Sequence, residues 1–354
     1  MSFNNSSFNA LSSWTGASTA SRWRTPVLLG AAGMAAAFLY VQACKARVER
    51  EHPPAGKFVE VDGVRLHYLE QGEGPALVLL HGNGVTAQDF VLSGLFDAAS
   101  ASYRVIAFDR PGFGYSERPG GAVWTPEQQA RLIYQALHIL RVERPIVVGH
   151  SWGTLVALAM ALDYPRYVRG LALVGGYYYP SPRVDAAIGA MPAIPVLGHL
   201  WRYTFAPLLG RLMWPLMAKK MFAPAAVPAR FDALPPWMAL RPGQLGASAG
   251  ETGLMVPSAA RIAARYDELT LPITLLAGAG DRIVDPQANT VRLHEAISHS
   301  ELRMEPGAGH MAHYAAPGDV LEAVKQIDAQ LQGMPAPIAQ EAMARLEGAG
   351  GTLH

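Results

Sequence analysis

The residues best placed for chemistry form a Gly-His-Ser-Trp-Gly sequence at positions 149–153. It follows the apolar run 145–148, which predicts a buried strand, and precedes an apolar stretch that predicts a helix. A serine in a sharp turn between a strand and a helix occupies strained backbone, so the residues two positions away must be small. The turn exposes the hydroxyl, and the helix amino terminus favours negative charge beside it. This pattern predicts that Ser151 is a nucleophile.

A serine nucleophile needs a general base, and the base needs a group that orients it. His310 lies in a Gly-rich loop directly after the predicted strand 301–304. Asp281 lies in a second Gly-rich loop, after the predicted strand 273–276. We therefore predict that His310 is the base and that Asp281 is the carboxylate that orients it.

Other titratable residues lie near these positions. His313 follows His310 by three residues, inside the next predicted helix, and Asp285 precedes a proline, where it is typical of a helix N-cap. These two residues stay open as alternatives for the base and the acid. His81 and His150 are expected to pack and to form hydrogen bonds locally. Asp109 is expected to shape the Gly-rich loop that it begins.

The elements that must position these side chains follow from the apolar pattern. Continuous apolar runs, typical of parallel strands buried on both faces, lie at 76–80, 104–108, 145–148, 171–174 and 273–276. Two alternating runs flank Asp62 and Gly63, a pair typical of a hairpin turn. Helical stretches separate several of the runs. This alternation predicts an α/β fold with an open, mostly parallel sheet and helices on both faces.

Two further motifs identify a family. His-Gly-Asn-Gly lies at 81–84 after the third predicted strand, and Asp-Arg-Pro-Gly-Phe-Gly-Tyr-Ser lies at 109–116 after the fourth. With these motifs and the serine turn, residues 58–331 resemble the α/β-hydrolase fold family of serine hydrolases. The chain order Ser, Asp, His is also that of the family. The resemblance implies that the backbone N–H groups of Asn83 and Trp152 form the oxyanion hole.

The alternation of strands and helices breaks between residues 177 and 270. This stretch is rich in Pro, Met, Trp and Leu, and no structureless loop would be so long or so apolar. We predict a helical cap over the site. Trp214, Trp237 and Met217 are its candidate substrate-binding residues, since aromatic and methionine side chains fit a flexible apolar pocket. The alternative is that they form the core of the cap itself.

The predicted nucleophile limits the reaction. Haloalkane dehalogenases of the same fold also carry His-Gly-Asn and a tryptophan after the nucleophile, but they and epoxide hydrolases attack with Asp. A serine that attacked an alkyl carbon would leave an ether, which the same machinery could not hydrolyse. We expect hydrolysis of a carboxylic ester of a hydrophobic small molecule. Two alternatives stay open: C–C bond hydrolysis of a diketone-like substrate, and a catalytically silent ligand-binding or receptor protein.

The amino-terminal region carries an uncharged apolar run at 26–44. As a helix it reaches about 27–28 Å, enough for a bilayer core. Basic residues flank both ends, so the charge distribution gives no orientation. We predict one membrane-spanning helix that binds the lipid bilayer. The alternatives are a cleaved signal peptide, which would give a secreted or periplasmic protein, and a buried helix of the globular domain.

Composition excludes several other classes. The 354 residues carry a net charge of +1, which argues against a nucleic-acid partner, since such proteins need basic surface. Cys44 is the single cysteine, so neither an intramolecular disulfide nor a multi-cysteine metal site can form. We expect no cofactor and no metal. The predicted divisions are a flexible tail (1–25), a membrane span (26–44), a linker (45–56), a hydrolase core (57–176 and 271–332), a helical cap (177–270) and a C-terminal tail (333–354).

Overall fold

The computed structural model describes residues 19–182 and 189–333, and its centre is one eight-stranded sheet. The strand order is β1-β2-β4-β3-β5-β6-β7-β8. The strands are β1 (Lys57–Val61), β2 (Val64–Gln71), β3 (Ala76–Leu80), β4 (Arg104–Phe108), β5 (Ile146–His150), β6 (Gly170–Val174), β7 (Ile273–Gly278) and β8 (Glu301–Glu305). The α/β fold with a mostly parallel sheet is therefore confirmed.

The sheet begins with the predicted hairpin. β1 and β2 pair antiparallel, β2 pairs antiparallel with β4, and the remaining neighbours are parallel. The turn residues Asp62 and Gly63 both have positive φ, of 50° and 75°. An Asp-Gly pair adopts this conformation at low cost, and its twist matches that of the flanking strands.

Helices cover both faces of the sheet. The described α-helices are α1 (Thr19–Glu51), α2 (Gln88–Leu92), α3 (Leu95–Ser100), α4 (Pro126–Ile139), α5 (Trp152–Asp163), α6 (Leu197–Tyr203), α7 (Phe205–Phe222), α8 (Pro236–Ala239), α9 (Pro242–Ala263), α10 (Arg292–Ala296), α11 (Ala312–Ala315) and α12 (Pro317–Gly333). The Thr125 side chain accepts a hydrogen bond from the N–H of Gln128 and so caps α4.

The continuous apolar runs are explained by two cores, one on each face of the sheet. In β3, Val78 and Leu80 belong to the core on one face, and Leu77 and Leu79 belong to the core on the other. Successive side chains of a strand point to opposite faces, so a strand that is covered on both sides needs apolar residues at every position.

The segment between β6 and β7 contains α6 to α9 and packs on the sheet domain. The end of α7 contributes Ala218 and Phe222 to an apolar cluster with Phe231. Val85 and Met311 of the sheet domain complete that cluster. Since Val85 follows the His-Gly-Asn-Gly motif and Met311 follows His310, the cap is seated directly on two of the loops predicted to carry chemistry.

The amino-terminal helix α1 differs from the prediction at both of its ends. It begins at Thr19, within the predicted tail (1–25), and residues 1–18 lie outside the described part. No Gly or Pro interrupts residues 19–25, so the helix extends outward from the apolar run. It also continues to Glu51, through most of the predicted linker (45–56). Ion pairs four residues apart support this last part, and buried Val48 fastens it to the domain.

Candidate active site

Ser151 occupies the predicted turn between β5 and α5. Its backbone has φ of 52° and ψ of −118°, a conformation that L-residues rarely adopt. Such strain persists only where the surroundings hold it, and it is found at functional sites. The Ser151 N–H donates to the carbonyl oxygen of Val174 at the end of β6 (2.9 Å), which holds the turn against the neighbouring strand.

The glycines on either side of the turn are required by close backbone contacts. A Cβ atom at Gly149 would lie 2.7 Å from the carbonyl oxygen of Gly153. A Cβ atom at Gly153 would lie 2.1 Å from the carbonyl oxygen of Leu80, at the end of β3. Both distances are far below van der Waals contact. The glycine spacing that identified Ser151 therefore follows from the tight packing of α5 against the strand ends.

The structure brings Ser151, His310 and Asp281 together. His310 Nε2 lies 2.9 Å from Ser151 Oγ, and His310 Nδ1 lies 2.7 Å from Asp281 Oδ2. The other carboxylate oxygen of Asp281 accepts hydrogen bonds from the N–H groups of Ile283 and Val284. The side chains of His310 and Asp281 are 6% and 1% exposed. Because the carboxylate accepts from Nδ1–H, Nε2 is left free to accept the serine proton.

Asn83 and Trp152 are the predicted oxyanion donors: Trp152 directly follows the serine, and Asn83 follows Gly82, where a Cβ atom would lie 3.1 Å from Ser151 Cβ. Within the described ranges, the backbone N–H groups of these two residues donate to no protein acceptor. Trp152 is the first residue of α5, where helix N–H groups have no intrahelical partner. The side chain of Asn83 has a different role. Its Nδ2 donates to the Ser248 carbonyl oxygen and to Thr252 Oγ1 of α9, both at 3.1 Å, and so joins the loop to the cap.

Two buried histidines beside the site have local partners, as the sequence predicted. His81 accepts the Arg110 N–H at Nε2 (2.9 Å) and contacts the Gly82 carbonyl oxygen through Nδ1 (2.7 Å). Burial, aided by the charge of Arg110, lowers its pKa to about 3. His150 donates from Nε2 to the His310 carbonyl oxygen (3.1 Å), and burial holds its pKa well below the usual value. Both histidines are therefore neutral near pH 7.

The alternative residues have partners elsewhere. His313 donates from Nε2 to Asp89 (2.8 Å), and both side chains are fully buried. Asp285 accepts from two N–H groups at the start of the next helical turn, as an N-cap does. Asp109 accepts from the N–H groups of Ala87 and Tyr115. These contacts give each of the three residues a structural role.

The carboxylate of Asp109 also binds a histidine. His67 Nε2 accepts the Gly56 N–H, so its Nδ1 carries the proton that Asp109 accepts at 2.7 Å. Burial raises the pKa of Asp109, but the hydrogen bond from His67 opposes burial, and the pKa lies below its ordinary value. Asp109 therefore stays ionised and holds its loop.

One group of side chains has the spacing of a metal site. In the described part of the chain, Asp89, His150 and His313 each offer a ligand atom within 4.8 Å of the other two. Asp89 accepts hydrogen bonds there from His313 and from the hydroxyl of Tyr314 (2.9 Å). Both oxygens of the Asp89 carboxylate thus have hydrogen-bond donors in the protein.

The candidate substrate-binding residues lie in three different places. Trp214 stacks on Phe231 (ring centroids 6.2 Å apart), in the cluster that includes Met311. Trp237 instead packs edge-on against Tyr40 of α1. Met217 is 52% exposed, on the outer face of α7. This position on the outer face gives no support to a pocket role for Met217, which stays a prediction, because composition alone does not reveal which face of a helix a residue occupies.

Sequence reasoning missed a buried ion pair between the cap and the loop after β4. Arg110 and Glu251 are both fully buried, and the Arg110 guanidinium donates to both carboxylate oxygens. Arg110 also donates to the carbonyl oxygens of His81 and Gly82, directly before the predicted oxyanion donor. The only sequence signal was the position of Arg110 in the 109–116 motif, and Glu251 gave none.

Comparison with known proteins identifies the family. Residues 75–317, more than half of the chain, match the sequence profile of the alpha/beta hydrolase fold family. The chain belongs to this family. Its relatives include hydrolases with different substrates, so hydrolysis is the reaction class that they support for this chain.

Curated relatives match different lengths of the chain. The chain is 27% identical over 278 residues to haloalkane dehalogenase 2 of Mycobacterium tuberculosis, with 77% of this chain and 94% of that protein covered. It is 33% identical over 151 residues to 2-hydroxymuconate semialdehyde hydrolase of Pseudomonas putida, with 41% of this chain and 53% of that protein covered.

Solved structures share the fold. A meta-cleavage product hydrolase is 22% identical with a TM-score of 0.60, over 78% of this chain and 98% of its own. A bacterial membrane phospholipase A is 21% identical with a TM-score of 0.60, over 89% of this chain and 100% of its own. At these identities the likeness demonstrates the fold alone.

Proposed function

We propose that the protein is a membrane-anchored serine hydrolase that cleaves carboxylic esters of hydrophobic small molecules. The observation that carries the proposal is the chain of contacts from Ser151 Oγ to His310 Nε2 (2.9 Å) and from His310 Nδ1 to Asp281 (2.7 Å). It begins at a serine whose backbone is strained into a left-handed conformation. Nucleophile, base and orienting acid are thus within hydrogen-bond distance in the order that acyl transfer requires.

The mechanism follows from these contacts. His310 takes the Ser151 proton as the oxygen attacks the ester carbonyl, and the N–H groups of Asn83 and Trp152 bind the resulting oxyanion. The tetrahedral intermediate collapses, and His310 gives its proton to the departing alcohol. Water then attacks the acyl-enzyme with His310 again acting as base, which releases the carboxylic acid and restores the serine hydroxyl. Asp281 holds the imidazole in the required tautomer and stabilises its charged form.

Dehalogenation is the activity named for one relative, and the nucleophile argues against it here. An ester formed on a carboxylate can be opened by water, whereas the ether that Ser151 would form with an alkyl carbon cannot. The resemblance would also assign halide binding to Asn83 and Trp152. In this chain the amide nitrogen of Asn83 already donates to two acceptors on α9. Acyl transfer therefore fits the site better.

Hydrolysis of a C–C bond is the second candidate, because 2-hydroxymuconate semialdehyde hydrolase is 33% identical over part of the chain. A diketone-like substrate would use the same serine, with the proton delivered to carbon instead of to an alkoxide oxygen. The test measures kcat/KM of the purified protein for a series of aryl esters and for a vinylogous 1,5-diketone. It distinguishes ester hydrolysis from C–C bond hydrolysis. The proposal requires that the esters be preferred.

The anchor proposal rests on α1. This helix is long and apolar enough to cross a membrane, and a signal sequence would pass the same test. Only 6% of its most apolar window is buried, unlike a core helix of a globular domain. Its carboxyl-terminal half packs on the domain: Val41 and Val48 are buried, and Glu49 pairs with Arg241 at 3.1 Å. Signal cleavage after the apolar run would remove Val41 and adjoining contacts, so they favour a retained anchor.

The test of the proposed site is a set of single substitutions in detergent-solubilised full-length protein. Ser151→Ala and His310→Ala should each lower kcat for an acetyl aryl ester on the order of 10⁴–10⁶-fold, with a smaller loss for Asp281→Asn. Ser298→Ala, at an exposed serine, and His313→Gln, at the alternative histidine, are the matched controls. Near-parental activity of Ser151→Ala would overturn the assignment, and no ester turnover by the parent would favour a silent binding protein.

The anchor is tested separately. Full-length protein should remain in the membrane fraction after carbonate extraction and should carry its complete amino terminus by mass spectrometry. Uncleaved protein in the soluble fraction would contradict the anchor. Protein that begins after residue 44 would instead support the signal-peptide alternative.

A further inference from the structure

The cap carries an apolar face that no part of residues 19–182 and 189–333 covers. We define the outer stripe as the α7 residues Phe205, Leu209, Leu212, Met213, Leu216 and Met217, which are 39–75% exposed. Their spacing of three and four residues puts them on one side of the helix. In α6, Leu197, Leu200 and Trp201 extend the exposed apolar surface. Soluble proteins rarely leave such continuous apolar surface in water, so it marks an interaction site.

The exposed apolar surface of α6 adjoins α1. Phe38 of α1 stacks on Tyr203 at the end of α6, with ring centroids 6.3 Å apart. Tyr40 of α1 contacts Trp237 of α8. An apolar crevice of about 590 Å³ lies between α1 and α6. The cap therefore contacts α1 within the apolar run as well as after it, where Glu49 pairs with Arg241.

These contacts fix the depth of the cap if α1 crosses a bilayer. Lys45 is the first charged residue after the apolar run and marks the membrane interface. Phe38 precedes it by seven residues, so at 1.5 Å per residue it lies about 10 Å further along the helix axis. Tyr203, which stacks on Phe38, must lie at a similar depth. A cap entirely outside the membrane would require part of the apolar run to leave the bilayer.

Charge on the cap also matches a membrane surface. Residues 189–228 contain no Asp or Glu, and all four of their charged side chains are basic. They are Arg202, Arg211, Lys219 and Lys220. Long basic side chains can extend from an apolar face to the headgroups, and anionic lipids attract them.

We propose that the outer stripe of α7, with the exposed face of α6, is embedded in the acyl-chain layer of the bilayer that α1 crosses. The inference rests on the proposed anchor and deepens the proposed function. The opposite side of α7 contributes Ala218 and Phe222 to the cluster with Val85 and Met311, beside the catalytic loops. Acyl chains on the outer stripe are thus about one helix diameter, roughly 10 Å, from those loops. This position favours an ester dissolved in the bilayer over a water-soluble one.

The test uses single cysteines that carry a polarity-sensitive fluorophore, in full-length protein with Cys44→Ser, reconstituted into phosphatidylcholine–phosphatidylglycerol vesicles. Leu212→Cys reports the outer stripe, and Leu216→Cys is a second probe of it. Val27→Cys reports α1, and Lys325→Cys, on exposed α12, is the control. The fluorophores at 212, 216 and 27 should show blue-shifted emission and quenching by spin labels on the acyl chains. The fluorophore at 325 should show neither.

Each contrary result has a separate meaning. Quenching at position 27 with water-like emission at 212 and 216 would overturn the inference and leave the anchor intact. Water-like emission at all three would contradict the anchor as well. Blue-shifted emission at 212 and 216 without lipid quenching would mean that a second copy or another protein covers the stripe, which also overturns the inference. All four labelled positions are exposed, and unchanged thermal unfolding verifies that the fold is kept.

Activity gives an independent measurement. Leu212→Gln combined with Leu216→Gln should lower kcat/KM for a long-chain ester dissolved in vesicles. It should leave kcat/KM for a water-soluble acetyl ester unchanged, because neither residue belongs to the proposed machinery. Unchanged turnover of both esters would contradict delivery of substrate from the bilayer.

Discussion

The buried pair of Arg110 and Glu251 permits a quantitative prediction, because it links the cap to the loop that carries Asn83, a proposed oxyanion donor. The Arg110 guanidinium is fully buried and donates to five acceptors. These are the carbonyl oxygens of His81 (2.7 Å) and Gly82 (3.0 Å), the side-chain oxygen of Gln129 (2.9 Å) and both carboxylate oxygens of Glu251. Glu251→Leu removes two of the five acceptors and the compensating charge.

The expected magnitude follows from the burial. Removing one partner of a buried ion pair leaves an uncompensated charge and costs about 3–5 kcal/mol. Replacing both partners by apolar residues is often close to neutral, so Arg110→Met combined with Glu251→Leu should recover most of that loss. It should not recover kcat, because Arg110 also holds the carbonyl groups directly before Asn83. The double variant should therefore regain most of the lost unfolding free energy while its kcat stays low.

The assay is urea unfolding of the detergent-solubilised protein, followed by tryptophan fluorescence, with kcat for an acetyl ester measured in parallel. The matched control is Glu127→Leu, which removes a partly exposed pair with Arg261 between α4 and α9 and should cost less than about 1 kcal/mol. The reasoning would be refuted if Glu251→Leu lowered the unfolding free energy no more than Glu127→Leu does. A double variant that is less stable than both single variants would refute it equally.

Three further predictions address the surroundings of the site. Burial lowers the pKa of His81 to about 3, so the unfolded chain binds its proton first as pH falls. This residue should therefore lower the unfolding free energy by about 2 kcal/mol between pH 7 and pH 5. Urea unfolding at the two pH values measures the decrease, and equal unfolding free energies would contradict it. Gly153→Ala should lower both Tm and kcat, because its Cβ would lie 2.1 Å from a carbonyl oxygen, while Gly318→Ala, in open space, should leave both unchanged. Trp214→Ala should flatten the rise of kcat/KM with acyl length, which is about fourfold per CH₂, whereas Trp237→Ala should not; equal profiles would contradict a role for Trp214 in the pocket.

The strands and the residues at their ends could be predicted from the sequence because their signals are local. A strand covered on both faces must be apolar at every position, so β3 to β7 appear as continuous runs. The turn at Ser151 needs glycine at both positions 149 and 153, because any Cβ there meets backbone within 3 Å. The sequence predicts that His310 and Asp281 lie near Ser151 because each follows a recognisable strand, and the structure brings the three side chains together.

The remaining features depend on contacts between distant residues. Nothing in the local pattern predicts that Glu251 reaches Arg110, which is 141 residues away. The sequence predicts a linker at 45–56 because the apolar run ends at Cys44, whereas buried Val48 and the pair of Glu49 with Arg241 continue the helix to Glu51. Met217 was assigned to a pocket from composition, and only packing decides which face of α7 is covered.

The most direct test of the central proposal is the site of covalent modification by a fluorophosphonate, read by peptide mass spectrometry of full-length protein. We predict a single stoichiometric adduct on Ser151, formed far more slowly in His310→Ala and at the parental rate in Ser298→Ala. The fluorophosphonate phosphorus accepts the activated serine oxygen and releases fluoride, so the reaction reports the nucleophile and its base together. An ester-hydrolysing protein with no adduct on Ser151, or with its adduct on another residue, would contradict the account.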